Sequence, residues 1–118
     1  MADYGVFIGF GFPARNREEG ATKVFGELMT YLGGQAGQGN VESFEPVFLQ
    51  PHGGELGGFV LVRGDRTKLD QMVASPEFQR LSLRGSTAVD HFGVVNCTCG
   101  NEIQHQMAQF LPDTADVR

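Results

Sequence analysis

The sequence predicts an α+β sandwich in which two helices cover one face of a four-stranded antiparallel sheet. Apolar residues alternate with period two in four segments, and they recur at helical spacing after the first and after the third of these segments. A glycine-rich turn joins the second and third segments, as in a β-hairpin. The resulting βαββαβ order fills nearly all 118 residues and is that of a single ferredoxin-like domain.

The first strand is predicted from large side chains that alternate with smaller ones. The large residues are Tyr4, Val6, Ile8, Phe10 and Phe12. The positions between them are held by Gly5, Phe7, Gly9 and Gly11. Glycine weakens a strand, so a row of three glycines on one face indicates that a helix or a ligand comes close to the backbone there. Of the two, we expect a helix.

The first helix is predicted to begin near Arg17, with two acidic residues in its first turn that complement the helix dipole. One stripe of apolar residues at helical spacing faces the core: Ala21, Val24, Phe25, Leu28, Met29 and Leu32. Gly33 and Gly34 predict the C-terminal end of the helix. Residues 35–40 are then a flexible connection.

The other three strands are predicted over residues 41–50, 56–63 and 89–98. The first two form the hairpin, and Pro46 removes one backbone donor, which favours an edge position or a bulge. A polar turn at residues 84–86 is expected to precede the last strand.

The second helix is predicted in two pieces, because two capping positions follow each other. Asp65 is suited to cap the first piece. Ser75 is suited to cap the second, with Pro76 at its first helical position. The apolar residues of both pieces share one buried stripe: Leu69, Met72, Val73, Phe78 and Leu81.

The chain divides into residues 1–100, the ferredoxin-like domain, and residues 101–118, a C-terminal extension. A short helix is expected in the extension from the apolar residues Ile103, Met107 and Phe110, and the end is expected to fray after Pro112.

Charge and composition limit the classes of partner that the protein is expected to bind. Nine Lys and Arg against fourteen Asp and Glu leave a formal charge of -5, without a basic run, which disfavours nucleic acid and anionic membranes. The start of the chain lacks the basic stretch and apolar run of a signal peptide, and no segment approaches the ~18 apolar residues of a membrane span. A cytoplasmic location is therefore expected.

Two motifs match known binding patterns only formally. Residues 9–14 read G-x-G-x-x-A, but their glycines alternate inside a strand and Pro13 separates them from the helix, unlike a dinucleotide-binding turn. Residues 6–9 look like the first-strand motif of RNA-recognition domains, yet residues 58–62 hold one aromatic side chain and no preceding basic residue. We predict neither a cofactor nor a nucleic-acid partner.

The two cysteines, Cys97 and Cys99, are too close for an unstrained disulfide, so reduced thiols are expected. Paired thiols with His105 nearby still lack the further ligands at recognisable spacing that a metal site needs. We predict no metal.

The candidate site residues are few. His91 is the best, though weak, candidate for a general base, and it is expected inside the last strand, where the adjacent Asp90 points to the opposite face. Tyr4 and Asn96 are suited to donate hydrogen bonds to a ligand in a cleft. No set of acid, base and nucleophile is evident, so the sequence leaves open whether the protein is an enzyme.

The segment Ser75–Leu81, following Leu69 and Met72, is similar to the broken second helix of the dimeric α+β barrel superfamily. That superfamily includes antibiotic biosynthesis monooxygenase-like and stress-responsive barrel proteins, and the resemblance spans Tyr4 to Thr98. It implies that two sheets pack face to face across a twofold axis and that a ligand lies between sheet and helices. It does not identify an individual family.

A physical argument independent of the resemblance also predicts a homodimer. Both faces of the strands carry apolar residues: Val47 and Leu49 are opposite Phe44 and Phe48. Two helices cover only one face of a sheet, so the other face is expected to meet a second copy.

Two classes of function remain. The first is a small-molecule-binding or interaction module without chemistry of its own, with a small apolar or aromatic ligand. The alternative, implied by the resemblance, is a cofactor-independent monooxygenase-like or cyclase-like enzyme acting on an aromatic or polyketide substrate. Enzymes of the monooxygenase branch often use tryptophan, which this chain lacks. An apolar cleft with His91 or Tyr4 at its wall favours the enzyme, whereas a filled interior favours the module.

Overall fold

A computed structural model describes residues 2–118 of the chain and places four strands and four helices in them. The elements of the domain are β1 (Tyr4–Phe10), α1 (Glu18–Gly37), β2 (Ser43–Phe48), β3 (Gly58–Gly64), α2 (Arg66–Ala74), α3 (Pro76–Ala88) and β4 (Gly93–Thr98). They are followed by α4 (Asn101–Asp113) and a 3-10 turn over Ala115–Val117. The predicted order is confirmed, with the second helix in two pieces.

The strands form one antiparallel sheet in the order β2-β3-β1-β4. Val6 pairs with Val62 on one side and with Asn96 on the other, which fixes the register of the three strands. Since β2 is an edge strand, the missing donor of Pro46 is tolerated, as predicted. This is the ferredoxin-like arrangement that the sequence predicts.

The core lies between one face of the sheet and helices α1, α2 and α3. Val6, Ile8, Val60 and Val62 supply the sheet side and are fully buried. The helices supply Leu28, Leu32, Leu69, Met72, Phe78 and Leu81. Every predicted member of the second-helix stripe except Val73 is buried, and Val73 packs against the same cluster.

The two predicted caps of the second helix are confirmed. The Lys68 backbone N–H donates to Asp65 Oδ2 at 3.1 Å, and the Phe78 N–H donates to Ser75 Oγ at 3.3 Å. Ser75 Oγ itself donates to the Met72 carbonyl at 2.7 Å, so one side chain ends α2 and begins α3.

On the other face of the sheet, no helix of residues 2–118 packs against the strands. The pairing register places Phe7, Phe59, Leu61 and Val95 together on this open face. Gly5 and Gly9 lie there too, so the expectation that a helix approaches the glycine row is wrong. A Cβ at Gly9 would lie 2.7 Å from the Phe7 ring, which stacks on Phe59. The Phe7 ring therefore occupies the space that a side chain at position 9 would need.

The predicted end of α1 at Gly33 and Gly34 is also wrong. The helix continues to Gly37, because its last turn is held from outside: the Asn40 side chain donates to Gln35 Oε1 at 3.0 Å. Gly39, with a φ of +81°, provides the left-handed residue that turns the chain away.

The polar turn predicted at residues 84–86 is helical instead. Gly85 is buried in α3 beneath the ring of Phe92, and the Val89 N–H donates to its carbonyl at 3.0 Å. Residues 89–92 are therefore the connection, and β4 begins only at Gly93. His91 lies in this connection with a φ of +56°, so its predicted place inside the strand is wrong.

The predicted C-terminal helix is present as α4. It runs one residue beyond Pro112, and Thr114 then donates both its N–H and its hydroxyl to the Phe110 carbonyl. None of the side chains of α4 is buried. Among residues 2–118, no helix combines the length and the apolar character that crossing a membrane requires.

Candidate functional site

An aromatic cleft of about 430 Å³ opens between the N-terminal half of α1, the C-terminal half of α3 and the end of β1. Its lining is almost wholly apolar and includes five phenylalanines: Phe10, Phe12, Phe25, Phe48 and Phe92. Ala21, Val24, Leu28, Ala88 and Val89 complete most of the wall. The interior between sheet and helices is thus not filled at this end.

Three of the rings form one connected wall. Phe10 lies edge-on to Phe25 and to Phe48, with ring centroids 6.2 and 6.1 Å apart, and Phe25 lies 5.2 Å from Phe48. Such offset contacts between aromatic rings are favourable beyond the area that they bury. The wall is therefore held in place although Phe48 is 68% exposed.

At the rim of the cleft, the hairpin loop and the connection before β4 meet at glycine residues. Gly11 N–H donates to the Asp90 carbonyl at 2.7 Å, and Gly57 N–H donates to the Phe10 carbonyl at 2.8 Å. A Cβ at Gly11 would lie 2.8 Å from the Asp90 carbonyl oxygen and 2.9 Å from that of Glu55. Only glycine allows the hairpin loop and the β4 connection to come this close.

His91 and Glu55 lie beside this rim, are 55 and 78% exposed, and do not line the cleft. His91 Nδ1 lies 3.6 Å from Glu55 Oε2, and the His91 ring lies against Gly11, which lines the cleft. A separation of 3.6 Å is too long for a hydrogen bond, so Glu55 lies near His91 without fixing the orientation of its ring. In the sequence, the adjacent Asp90 is the carboxylate next to His91. Glu55 is 36 positions away in the chain, and no local pattern connects the two residues.

Tyr4 and Asn96 lie at the other end of the sheet. They line a separate, polar pocket of about 270 Å³, where the Arg66 guanidinium lies 5.5 Å from the centre of the Tyr4 ring. Asn96 lies five positions after His91, which is about 16 Å along an extended chain. The three predicted ligand-binding residues therefore do not converge on one site.

The two cysteines are free and half-buried. Burial raises the pKa of the Cys97 thiol, and the neighbouring Cys99 raises it further. Cys97 is thus held in its less nucleophilic, protonated form. In the described part of the chain, no three His, Cys, Asp or Glu side chains are grouped so as to hold a metal ion.

No protein-family model and no curated protein matches the chain. Several solved structures are similar to the chain. A dimeric ferredoxin-like protein of unknown function from Jannaschia sp. CCS1 is similar with a TM-score of 0.58 and 18% identity, covering 82% of this chain and 98% of that one. A dimeric protein of unknown function and ferredoxin-like fold from Bacteroides fragilis NCTC 9343 is similar with a TM-score of 0.56 and 8% identity, covering 80% of this chain and 95% of that one.

A third similar structure, from Chloroflexus aurantiacus J-10-fl, bears the description "putative antibiotic biosynthesis monooxygenase". Its TM-score is 0.53 at 9% identity, covering 85% of this chain and 95% of that one. At these identities the likeness concerns the fold alone. It confirms the ferredoxin-like fold.

Proposed function

We propose that the protein is a homodimeric small-molecule-binding protein whose aromatic cleft takes an apolar or aromatic ligand. The cleft itself is the observation that carries this proposal. Its volume lies within the range of about 300–1,000 Å³ typical of ligand pockets, and its walls are hydrophobic and aromatic, as in most such pockets. Flat aromatic ligands suit walls made of phenylalanine rings.

The homodimer is supported by the open face of the sheet. Phe7, Phe59, Leu61 and Val95 form an apolar surface there that no helix of the same chain covers. Two of the similar structures are described as dimeric, which favours the same state for this chain. Free thiols at Cys97 and Cys99 are usual in a reducing compartment, which supports a cytoplasmic location.

A binding experiment with a neutral fluorescent probe, N-phenyl-1-naphthylamine, tests the cleft. We expect saturable binding that Phe48→Ser weakens about tenfold, because the variant removes one wall ring. Leu83→Ser is the matched control, since Leu83 is 71% exposed and does not line the cleft. Equal affinities of Phe48→Ser and wild type would contradict the proposal, as would a lack of saturable binding.

The second candidate function is an enzyme, favoured by the position of His91 beside Gly11, a residue of the cleft wall. In this role a ring nitrogen of His91 acts as general base toward an acidic proton of an aromatic substrate that extends from the cleft past Gly11. Oxygen uptake without added cofactor, measured on a panel of polycyclic phenols, tests it. His91→Ala should lower turnover at least 100-fold and His105→Ala should not. Equal turnover in both variants would remove His91 from the reaction.

A further inference from the structure

The helix α4 carries an apolar stripe that is largely exposed. Ile103, Met107, Phe110 and Leu111 recur at helical spacing on one side of the helix, and they are 45, 70, 62 and 57% exposed. Soluble helices turn such a stripe toward a partner surface.

The contacts that hold α4 to its domain are polar and lie near its start. The Thr98 hydroxyl donates to Gln106 Oε1 at 3.0 Å, and the Asn101 N–H donates to Asp3 Oδ1 at 3.3 Å. Neither involves the stripe. The helix thus leaves the edge strand β4 after a two-residue link and presents its apolar side outward.

The overall dimensions reflect this projection. The radius of gyration is 16.1 Å, whereas a compact chain of this length has about 13.5 Å. The described part of the chain measures 50 × 38 × 24 Å. An exposed apolar patch on such an arm indicates an interaction site.

We propose that the stripe of α4 packs against a second copy of this chain and extends the interface made by the open sheet face. This inference rests on the homodimer of the proposed function. A two-residue link joins α4 to β4, the strand that contributes Val95 to the open face. In an isologous dimer each copy gives its own arm and receives that of its partner.

The interface area of a stable dimer supports a second copy of the chain as the partner of α4. Four strands of about seven residues present a face of about 19 × 23 Å, or roughly 440 Å². Specific interfaces bury about 800 Å² per partner. The stripe spans nine residues, so it is about 13 Å long and 10 Å wide, and adds roughly 130 Å² on the copy that provides it and as much on the copy that receives it. Sheet face and arms together therefore reach about 700 Å² per partner, within the usual range of about 600–1,000 Å², which the sheet face alone does not reach.

The charges of α4 argue against a membrane as the occupant. The helix contains Glu102 and Asp113 and no Lys or Arg, and the whole chain has a formal charge of -5. Helices that lie on anionic membranes carry basic residues on their polar side. A second copy of the same chain requires no such charges.

Sedimentation equilibrium of the full chain tests the inference. We expect the double variant Met107→Asp/Phe110→Asp to raise the dimer dissociation constant at least 100-fold. The control is His105→Asp/Gln109→Asp, which puts the same charges on the opposite side of α4 and should change the constant less than threefold. Circular dichroism verifies that both variants are folded, which is expected because α4 buries no side chain.

The outcomes separate this inference from the function on which it rests. A dimer that the stripe variant leaves unchanged overturns the role of α4, while the homodimer stands. A monomeric wild type overturns the homodimer and the inference together, while probe binding to the cleft still tests the ligand. Flotation with phosphatidylglycerol vesicles that depends on the stripe, with an unchanged dimer, also overturns the inference, since it assigns the helix to a membrane.

Discussion

The ring of Phe7 lies over Gly9, two residues further along the same strand. A Cβ at Gly9 would be 2.7 Å from Phe7 Cε1, and the ring stacks on Phe59 with centroids 5.0 Å apart and planes at 27°. The glycine therefore lets one aromatic side chain lie flat on the open face. A flat apolar surface of this kind is suited to contact a second sheet.

Gly9→Ala should disturb this surface. The added methyl group has to push the Phe7 ring away, so we expect a loss of about 1–3 kcal/mol in the free energy of unfolding and a dimer at least tenfold weaker. Gly93→Ala is the matched control, because Gly93 pairs with Gly9 on the same face and a Cβ there meets no atom within 4 Å. Urea titration and sedimentation measure the two effects, and equal behaviour of the two variants would contradict this account.

Gly85→Ala should reduce the aromatic cleft. A Cβ at Gly85 would lie 2.7 Å from Phe92 Cε2, so the ring has to move into the space that it lines. We expect weaker probe binding and a net loss of stability, although alanine favours a helix over glycine by about 1 kcal/mol.

Gly33→Ala provides the comparison for this prediction. Gly33 also lies within a helix, but a Cβ there meets no atom within 4 Å. It should therefore stabilise the protein by about 0.5–1 kcal/mol and leave probe binding unchanged. If urea titration shows that Gly85→Ala is stabilising to the same degree, the packing of Phe92 on Gly85 is not tight.

Ser75→Ala should destabilise the protein by about 1 kcal/mol, because it removes the cap of α3 and the hydrogen bond to the Met72 carbonyl. The Tyr31 hydroxyl, 3.3 Å from Ser75 Oγ, loses a partner as well. Ser86→Ala, at an exposed position where Oγ bonds only the Leu83 carbonyl, should change stability by less than 0.5 kcal/mol. Thermal unfolding compares the two variants.

The pair of Glu27 and Arg84, which links α1 to α3, should make stability depend on pH. Arg84 Nε and Nη2 donate to the two oxygens of Glu27 at 2.8 and 3.1 Å, and these hydrogen bonds lower the pKa of Glu27 below its ordinary value of 4.5. Between the two pKa values the unfolded chain binds the additional proton. The contribution of the pair is therefore complete above pH 4.5 and disappears as the pH falls through the folded pKa.

A double-mutant cycle with Glu27→Gln and Arg84→Met measures this contribution. Both side chains are about one third exposed, so the coupling should be small at pH 7 and should decrease as the pH falls through the folded pKa of Glu27. A coupling that stays constant on acidification would show that the pKa shift does not determine it.

The local elements could be predicted because each depends on neighbours in the chain. Asp65 and Ser75 cap helices through donors three residues away, and Leu69 and Phe78 share a buried stripe at helical spacing. The edge position of Pro46 follows from one missing donor. Such interactions are visible in a short stretch of sequence.

Most of the wrong structural predictions concern glycines, because the role of a glycine depends on which atoms pack against it. Gly33 and Gly34 stay helical since the turn beyond them is anchored, and Gly85 is helical since it accommodates Phe92. Gly9 accommodates Phe7 rather than a helix. In each case the decisive atoms come from the packed structure, so local preference alone pointed to a turn or a helix contact.

Taken by itself, the sequence determined the order of strands and helices, the stripe that each buries and the surplus of apolar surface, since periodicity alone decides which side chains share a face. Only the tertiary structure decided which loops meet. The strand order places the hairpin loop beside the connection before β4, so that Glu55 and His91 come within 3.6 Å, while Tyr4 and Asn96 lie at the opposite end. Contacts between distant segments depend on the closing of the whole sheet, which no local pattern encodes.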